Sequence, residues 1–485
     1  MTTTDKTIEV DAVVVGFGRG GKIAALELGK AGKRVIIVEQ SDRMYGGTCP
    51  NVGCVPTKML VHYSGQRRPG DTSQDWYEHA VNGVRDLTTA FRNGNFNALN
   101  NGETTTVITG RASFEDAHTV GVGQGEDRLH VTAETIIINT GSQPVIPPIP
   151  GLRESAFLHT NVELIQRNQL PERLAIIGGG YLGLEFASIY NRFGSKVTVL
   201  EGAPQLLSRE DDDVAQATIS LLADEGVELV TDAHVTEVRD NDKTVTVVYE
   251  HAGEHHEVEA DGVLAAAGRA PATAGLDLEK AGVQVDERGA VVVDDRLRTS
   301  QPHIFAVGDV NGGPQFTYIS QDDGFIVANQ LLGSGERRVS DRVAVPKVLF
   351  TTPPLATVGL TEKQARAEGH TITVAREAVA DIAAMPRAYV VEETRGLMKF
   401  IVDADTDQIL GAALLSIDAQ ELINTIALAM RNGITATRLR TSIYTHPSST
   451  EAFNEVLGAI VDEPVGASMA TVAELTAETT PGPTC

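Results

Sequence analysis

The run Gly46-Gly47-Thr48-Cys49-Pro50-Asn51-Val52-Gly53-Cys54-Val55-Pro56-Thr57-Lys58 holds two of the chain's three cysteines, five positions apart. Two thiols at that spacing can cycle between dithiol and disulfide and so carry an electron pair. A zinc knuckle would need four ligands at short spacing, and no second Cys or His pair stands near. An inert buried pair is the plain alternative. What flanks the pair decides between these readings.

Upstream, Asp11-Ala12-Val13-Val14-Val15 predicts a buried strand. It runs into Gly16-Phe17-Gly18-Arg19-Gly20-Gly21, then a helical stretch with Ala24, Ala25, Leu26 and Leu28 that stops near Gly32. A second strand, Val35 to Val38, ends at Glu39. In this G-x-G-x-x-G arrangement Gly16 makes the tight turn, Gly18 lets backbone approach a pyrophosphate, and Gly21 lets helix and strand pack closely. The helix N-terminus offers partial positive charge, and Glu39 can bind ribose hydroxyls. The same grammar recurs: Leu174 to Ile177, then Gly178-Gly179-Gly180-Tyr181-Leu182-Gly183, a helix through Phe186 and Ile189, and a strand Val197 to Leu200 ending at Glu201. Two Rossmann-type units predict two dinucleotides. A carboxylate at Glu201 accepts from a ribose 2′-hydroxyl and repels a 2′-phosphate, which favours NADH over NADPH; Arg209 can soften that repulsion. A thiol pair in this setting can take an electron pair from a bound flavin and pass it on as a dithiol, which is disulfide-reductase chemistry.

At 485 residues the chain needs two to four domains, and 42% hydrophobic residues with 47 glycines suit a soluble α/β protein. No stretch is long enough to cross a membrane, and Met1 to Val10 lacks a basic-then-apolar secretion signal, so a cytoplasmic location is expected. In that reducing setting a cysteine pair is more often catalytic or metal-binding than structural. The net charge of −25 argues against nucleic acid and against anionic membrane surfaces as partners. The few His and Met residues show no ligand spacing, so no metal site is expected.

With these pieces in place the chain resembles the class I pyridine nucleotide-disulfide oxidoreductases, from about Val10 to Glu463. The cysteine signature runs from Gly46 to Lys58. Gly110-Arg111-Ala112 resembles the family's adenine-side contact, and Thr140-Gly141-Ser142-Gln143-Pro144 its domain-crossover loop. Ala267-Gly268-Arg269-Ala270-Pro271 resembles the strand closing the nicotinamide domain. Ile304 to Asp309 resembles the second FAD signature, and Thr445-His446-Pro447-Ser448-Ser449-Thr450-Glu451 the C-terminal H-P-x-x-x-E element.

The resemblance implies an α/β fold with two Rossmann-type domains, for FAD and NAD(P), and a C-terminal α+β dimerisation domain. The expected boundaries are 1–150 and 273–343 for FAD, 151–272 for NAD(P), 344–465 for dimerisation, and a disordered tail at 466–485. It implies FAD contacts at Gly16, Gly18, Gly21, Glu39, Thr48, Lys58, Ala112, Gly308 and Asp309, with Asp309 on the ribityl chain. For NAD(P)H it implies contacts at Gly178, Gly180, Gly183, Glu201 and Gly268. Lys58 and Glu185 become an ion pair beside the flavin and nicotinamide rings. Cys54 becomes the charge-transfer thiol and Cys49 the interchange thiol that meets a small-molecule substrate. His446, oriented by Glu451, becomes the acid–base partner of Cys49 and comes from the other subunit of a homodimer.

Within the family, Met44 to Cys49, Gln315-Phe316-Thr317-Tyr318-Ile319-Ser320 and Thr352-Pro353-Pro354-Leu355 resemble the bacterial reactive-chlorine-resistance flavoproteins, a subgroup associated with hypothiocyanous acid and copper(II) reduction. Mercuric reductases carry a vicinal Cys-Cys tail, whereas this tail ends in the lone Cys485. Lipoamide dehydrogenase and a non-catalytic FAD-binding redox sensor are the competing readings. Pro50 stands where the family usually has Val, Leu or Ile, which bears on the redox potential. Residues 63 to 100, with Asn93-Gly94-Asn95, read as polar helices and turns forming a surface arm without chemistry. Alternation at Gly396 to Val402 predicts antiparallel strands. A helix from Ala419 to Arg431 is expected at a dimer interface or in the core.

Overall fold

The computed structural model describes residues 6–125 and 128–459; the expected tail and Cys485 lie outside them. These residues form two compact units: one of residues up to 183, 189–202 and 233–342, and one of residues 184–188, 203–232 and from 343 on.

The first unit is built on a seven-stranded sheet. Its path is Thr105–Thr109, Val35–Glu39, Lys6–Val15, Leu129–Ile138, Thr119–Val122 and Ala112–Phe114, with Ile304–Ala306 beside Leu129–Ile138. The central pairs are parallel, with Val13 opposite Ile36 and Ile304 opposite Ile136. Strand alternation sends Val13, Val15, Ile36 and Val38 to one face and Ala12, Val14, Val35 and Ile37 to the other, and both faces are buried. That is why these strands read as unbroken apolar runs. Helix α1, Arg19–Lys30, leaves the first strand at the glycine loop. The same strand–helix–strand pattern recurs in Arg173–Ile177, Tyr181–Phe193 and Lys196–Leu200, whose two strands pair in parallel.

The segment after the cysteines departs from expectation. Helices α2, Thr48–Asn51, and α3, Cys54–Ser64, are followed by α4, a single helix Ser73–Leu99 that runs through Asn93-Gly94-Asn95 without a turn. A capping box between Thr72 and Asp75 starts it. Trp76, Tyr77, Ala80, Val81 and Val84 bury one face at helical spacing. Trp76 and Tyr77 pack edge-on against Phe193, and the Tyr77 and Tyr190 hydroxyls lie 3.0 Å apart over the Leu164 carbonyl. A free surface arm would not carry this anchor: α4 packs one face into the core and leaves the other in solvent.

The second unit is α+β. Its antiparallel sheet runs Lys347–Leu349, Leu355–Gly359, Ile409–Leu415, Leu397–Asp403 and Ile372–Ala378. The helix Ala419–Arg431 forms with the expected bounds and sends Leu422, Ile423 and Ile426 into a core with Phe400 and Phe453, while Leu428 stays 58% exposed. Lys399, on the strand Leu397–Asp403, is only 2% exposed and is met by three carboxylates: Asp211 at 3.1 Å, Asp213 at 3.1 Å and Glu362 at 2.9 Å. Among the described residues no helix is long and apolar enough to cross a membrane.

Candidate functional site

The first glycine loop is tight for identifiable reasons. Gly16 has φ 99°, and a Cβ there would lie 2.4 Å from the Asn139 carbonyl oxygen. At Gly21 a Cβ would meet Val14 at 2.5 Å, so this glycine lets α1 pack on its strand, as expected. At Gly18 the nearest obstacle is the Asn139 side chain, at 2.6 Å. Two N–H groups of the α1 first turn are already engaged: Gly20 donates to Ser320 Oγ and Gly21 to Asn139 Oδ1. Glu39 is buried at the end of the second strand, where its carboxylate accepts from the Phe17 N–H at 3.0 Å and the Ser41 N–H at 3.3 Å. Burial pushes Glu39 up to about 7, against the pull of those N–H groups. Gly110 N–H donates to the Glu39 carbonyl, which sets Gly110 to Ala112 at the same sheet end.

The second loop repeats the design. Gly178 has φ 108°, a Cβ on Gly183 would fall 2.0 Å from the Gly178 carbonyl oxygen, and Glu201 accepts from the Gly179 N–H at 2.6 Å. At Gly180 and Gly268 a Cβ would meet nothing within 4 Å, so the space above both is open. Arg209 is exposed.

The cysteine segment rests on the first loop: a Cβ on Gly47, φ 77°, would lie 2.7 Å from the Gly18 Cα. Asn51 fixes its turn by donating to the Tyr45 and Gly47 carbonyls, while accepting from Arg92 of α4. Pro50 lies inside the short helix α2, within its first turn, where a missing N–H costs nothing. Cys54 is the first residue of α3, where the helix dipole favours a thiolate. Its Sγ lies 3.3 Å from Thr317 Oγ1. The Cys49 thiol is pushed far above its ordinary range by its hydrogen bond to Cys54, by burial and by the Cys54 charge; Thr317 and Lys22 pull the other way. The two sulfurs therefore ionise one at a time. Next to them Phe316 and Tyr318 stack at 5.1 Å, and burial and the Cys54 charge raise the Tyr318 hydroxyl.

A cleft of about 510 Å³ opens on Cys49. Arg19 and Lys22 of α1, Thr317, and Phe91 and Asn95 of α4 line it with Pro50. The helix read as an inert arm thus supplies a wall of the cleft, and its 3.6-residue apolar repeat was the available signal. Lys22 Nζ donates to Asn95 Oδ1, and Arg19 donates to Gln321 Oε1. Lys22 is held down at about 8, by burial first and by Arg19 second, while Cys49 favours its charge.

Other expected residues sit in definite places. Asp309 accepts from Ser142 Oγ at 2.6 Å, and Ser142 Oγ accepts in turn from Arg269 Nε at 2.8 Å. This relay from crossover loop to second signature escaped the sequence reading, because Ser142 and Arg269 were seen only as motif members. Gly308 N–H donates to the buried Asp323, which Arg342 also meets. Lys58 lies one turn into α3, with Nζ 3.5 Å from Thr57 Oγ1. In the second unit Glu185 is buried and accepts from the Phe350 N–H at 3.0 Å. There too His446 Nδ1 lies 2.9 Å from Glu451 Oε1, and Glu451 also accepts from the Ser448 N–H, which with His446 lowers its carboxyl. The His446 side chain is 73% exposed. Among the described residues no group of three or more His, Cys, Asp or Glu could hold a metal ion.

Two glycine loops with terminal acids, and a thiol pair set on the first of them, define a class. The pyridine nucleotide-disulphide oxidoreductase family model matches residues 10–324, and the model of its dimerisation domain matches residues 345–457. The chain belongs to this family and is an oxidoreductase of the disulfide-reductase class. It is 45% identical over 449 residues to the "Probable pyridine nucleotide-disulfide oxidoreductase RclA" of Escherichia coli, covering 93% of this chain and 99% of that one. The Cu(II) complex of the HOCl-induced flavoprotein disulfide reductase RclA from Escherichia coli matches with a TM-score of 0.88, at 45% identity and with coverage of 93% and 99%. Dihydrolipoyl dehydrogenase of Geobacillus stearothermophilus is 34% identical over 474 residues, covering 96% of this chain and 99% of the relative.

The family implies FAD and a pyridine nucleotide, and the loops fit both. Thr140 Oγ1, beside Gly16, is buried without a hydrogen-bond partner, a polar atom awaiting a ligand group. The open space at Gly180 suits a phosphate at a helix N-terminus. The dimerisation-domain match supports a homodimer.

Proposed function

We propose that this enzyme reduces a small sulfur electrophile, hypothiocyanous acid, at Cys49, as part of defence against reactive chlorine and related oxidants. The observation that carries the proposal is the cleft: Cys49 opens into a space of about 510 Å³, and Cys54 lies within hydrogen-bond reach of Cys49, where a resolving thiol is needed. The likeness to a reductase described as HOCl-induced supports the oxidant-defence setting.

Residues 1–150 with 273–343 would hold FAD through Gly16, Gly18, Gly21, Glu39, Thr48, Lys58, Ala112, Gly308 and Asp309. Residues 151–272 would hold the pyridine nucleotide through Gly178, Gly180, Gly183, Glu201 and Gly268. Bound flavin supplies the two-electron relay between that nucleotide and the thiol pair. Glu201 supports NADH over NADPH, since its carboxylate repels a 2′-phosphate. Lys58 and Glu185 act as an ion pair at the nucleotide end of the site. Residues 344–465 form the subunit contact, and His446 of the partner subunit serves Cys49, with Glu451 orienting the ring.

In the substrate step the Cys49 thiolate attacks the divalent sulfur of N≡C–S–OH. The S–O bond breaks, and hydroxide leaves as water with the proton that His446 holds. Cys54 then attacks the Cys49 sulfur, the bond to the substrate sulfur breaks, and thiocyanate departs. The pair is now a disulfide, having given two electrons to the substrate, and NADH resets it.

The test is NADH consumption by FAD-loaded enzyme offered hypothiocyanous acid, glutathione disulfide and lipoamide in parallel, with Cys49→Ser as control. Fast turnover confined to hypothiocyanous acid and abolished in the variant is expected. Turnover led by lipoamide would make the chain a metabolic dehydrogenase instead.

A further inference from the structure

The chain carries 65 acidic residues against 40 basic ones, yet the twelve residues lining the Cys49 cleft include Arg19 and Lys22 and no carboxylate. Both cations project from the first turn of α1, the helix that follows the glycine loop. Lys22 is half-buried and tied to Asn95 across the cleft, and Arg19 is tied to Gln321. The charges that act on Lys22 are Arg19 and the Cys49 sulfur, a cation and a nucleophile. A cation desolvated without a built-in carboxylate stays costly until an anion arrives.

We propose that Lys22, seconded by Arg19, is an anion-recognition element of the Cys49 cleft. It favours small sulfur electrophiles that are anionic or that release a small anion. This rests on the reading of Cys49 as the attacking thiol. In the step written above, the group expelled when Cys54 closes the disulfide is thiocyanate. Its negative charge appears within the cleft that Lys22 lines, so the lysine stabilises the leaving group. Pro50 and Phe91 give the rest of the wall an apolar surface suited to a soft, weakly hydrated anion.

The probe is alkylation of Cys49 in NADH-reduced, FAD-loaded enzyme by iodoacetate, an anion, and by iodoacetamide, its neutral counterpart. The two rates are followed by peptide mass spectrometry. Their ratio reads the local charge and needs no turnover. Lys22→Met is expected to lower the iodoacetate-to-iodoacetamide ratio about tenfold, the scale of one unit charge at short range in a partly buried site. Lys22→Arg should hold it within about threefold, and Arg19→Gln should lower it less than Lys22→Met does. In turnover with hypothiocyanous acid, Lys22→Met should raise KM and weaken inhibition by added thiocyanate. A ratio unmoved in both Lys22→Met and Arg19→Gln overturns the proposal, whatever the substrate. A wild-type enzyme inert to hypothiocyanous acid, with a ratio that still depends on Lys22, overturns the substrate and keeps the anion site. Brisk turnover with KM and thiocyanate inhibition indifferent to Lys22 keeps the substrate and overturns the anion site.

Discussion

Lys22 in the first unit and Lys399 in the second are both lysines withdrawn from water, and the protein treats them in opposite ways. Lys399 meets Asp211, Asp213 and Glu362 within 3.1 Å. Burial opposes its charge, but those carboxylates outweigh burial and raise its pKa. Asp213 and Glu362 respond in kind: burial alone would raise them, and their cations leave them lowered. Lys22 has Asn95 for a hydrogen-bond partner, with the Cys49 sulfur as the group that favours its charge, and burial brings it down to about 8. A buried charge whose counter-ions are built in is architecture. One whose counter-ion is missing, in a cleft beside a nucleophile, is a place for a ligand.

The comparison can be broken by substitution. Lys399→Met leaves three carboxylates crowded without their central cation and should destabilise the protein by about 3–5 kcal/mol, read as a fall in melting temperature. The alkylation ratio at Cys49 should not change in that variant. Should Lys399→Met melt like the wild type, the cluster is not the structural tie described.

A smaller effect sharpens it through pH. Lys22 loses its proton as pH rises through about 8, so the preference of Cys49 for iodoacetate over iodoacetamide should decline across that point. Lys399, with its pKa raised, keeps its charge below the ordinary lysine range, and its stabilisation is lost only as pH rises through its folded value. Its acid limit comes from Asp213 and Glu362: their lowered values give stability above the ordinary carboxylate range, lost as pH falls through the folded values. A preference that stays flat from pH 7 to 9, where a group at about 8 must titrate, would separate Lys22 from the thiol.

The smallest effect is on stability at Lys22 itself. Lys22→Met keeps the aliphatic stem and removes a charge without a carboxylate, so it should change stability by less than about 1 kcal/mol or raise it slightly. A loss on the scale of Lys399→Met would mean that Lys22 is structural too.

The same contrast explains what could be read from the chain. Each glycine loop lies about two dozen residues before its own terminal acid, Gly16 before Glu39 and Gly178 before Glu201, and local spacing expressed them. The His446–Glu451 contact spans five residues and was equally legible. Lys22 meets Asn95 across 73 residues and Lys399 meets Asp213 across 186, and neither pair leaves a local pattern. The polarity of α4 hid its core face: Asn93-Gly94-Asn95 has turn composition, but the anchoring of Trp76 and Tyr77 against Phe193 carries the helix through it. Tertiary burial overrode propensity there.

The central claim is that Cys49 is the thiol that meets substrate and Cys54 the one that resolves it. Cys54→Ser enzyme, FAD-loaded, with its Cys49 thiol intact and mixed anaerobically with one equivalent of hypothiocyanous acid, should trap the substrate sulfur on Cys49, seen by peptide mass spectrometry. The wild type treated alike should carry only the Cys49–Cys54 disulfide. An adduct found on the remaining thiol of Cys49→Ser but never on Cys49 would reverse the roles and contradict the account.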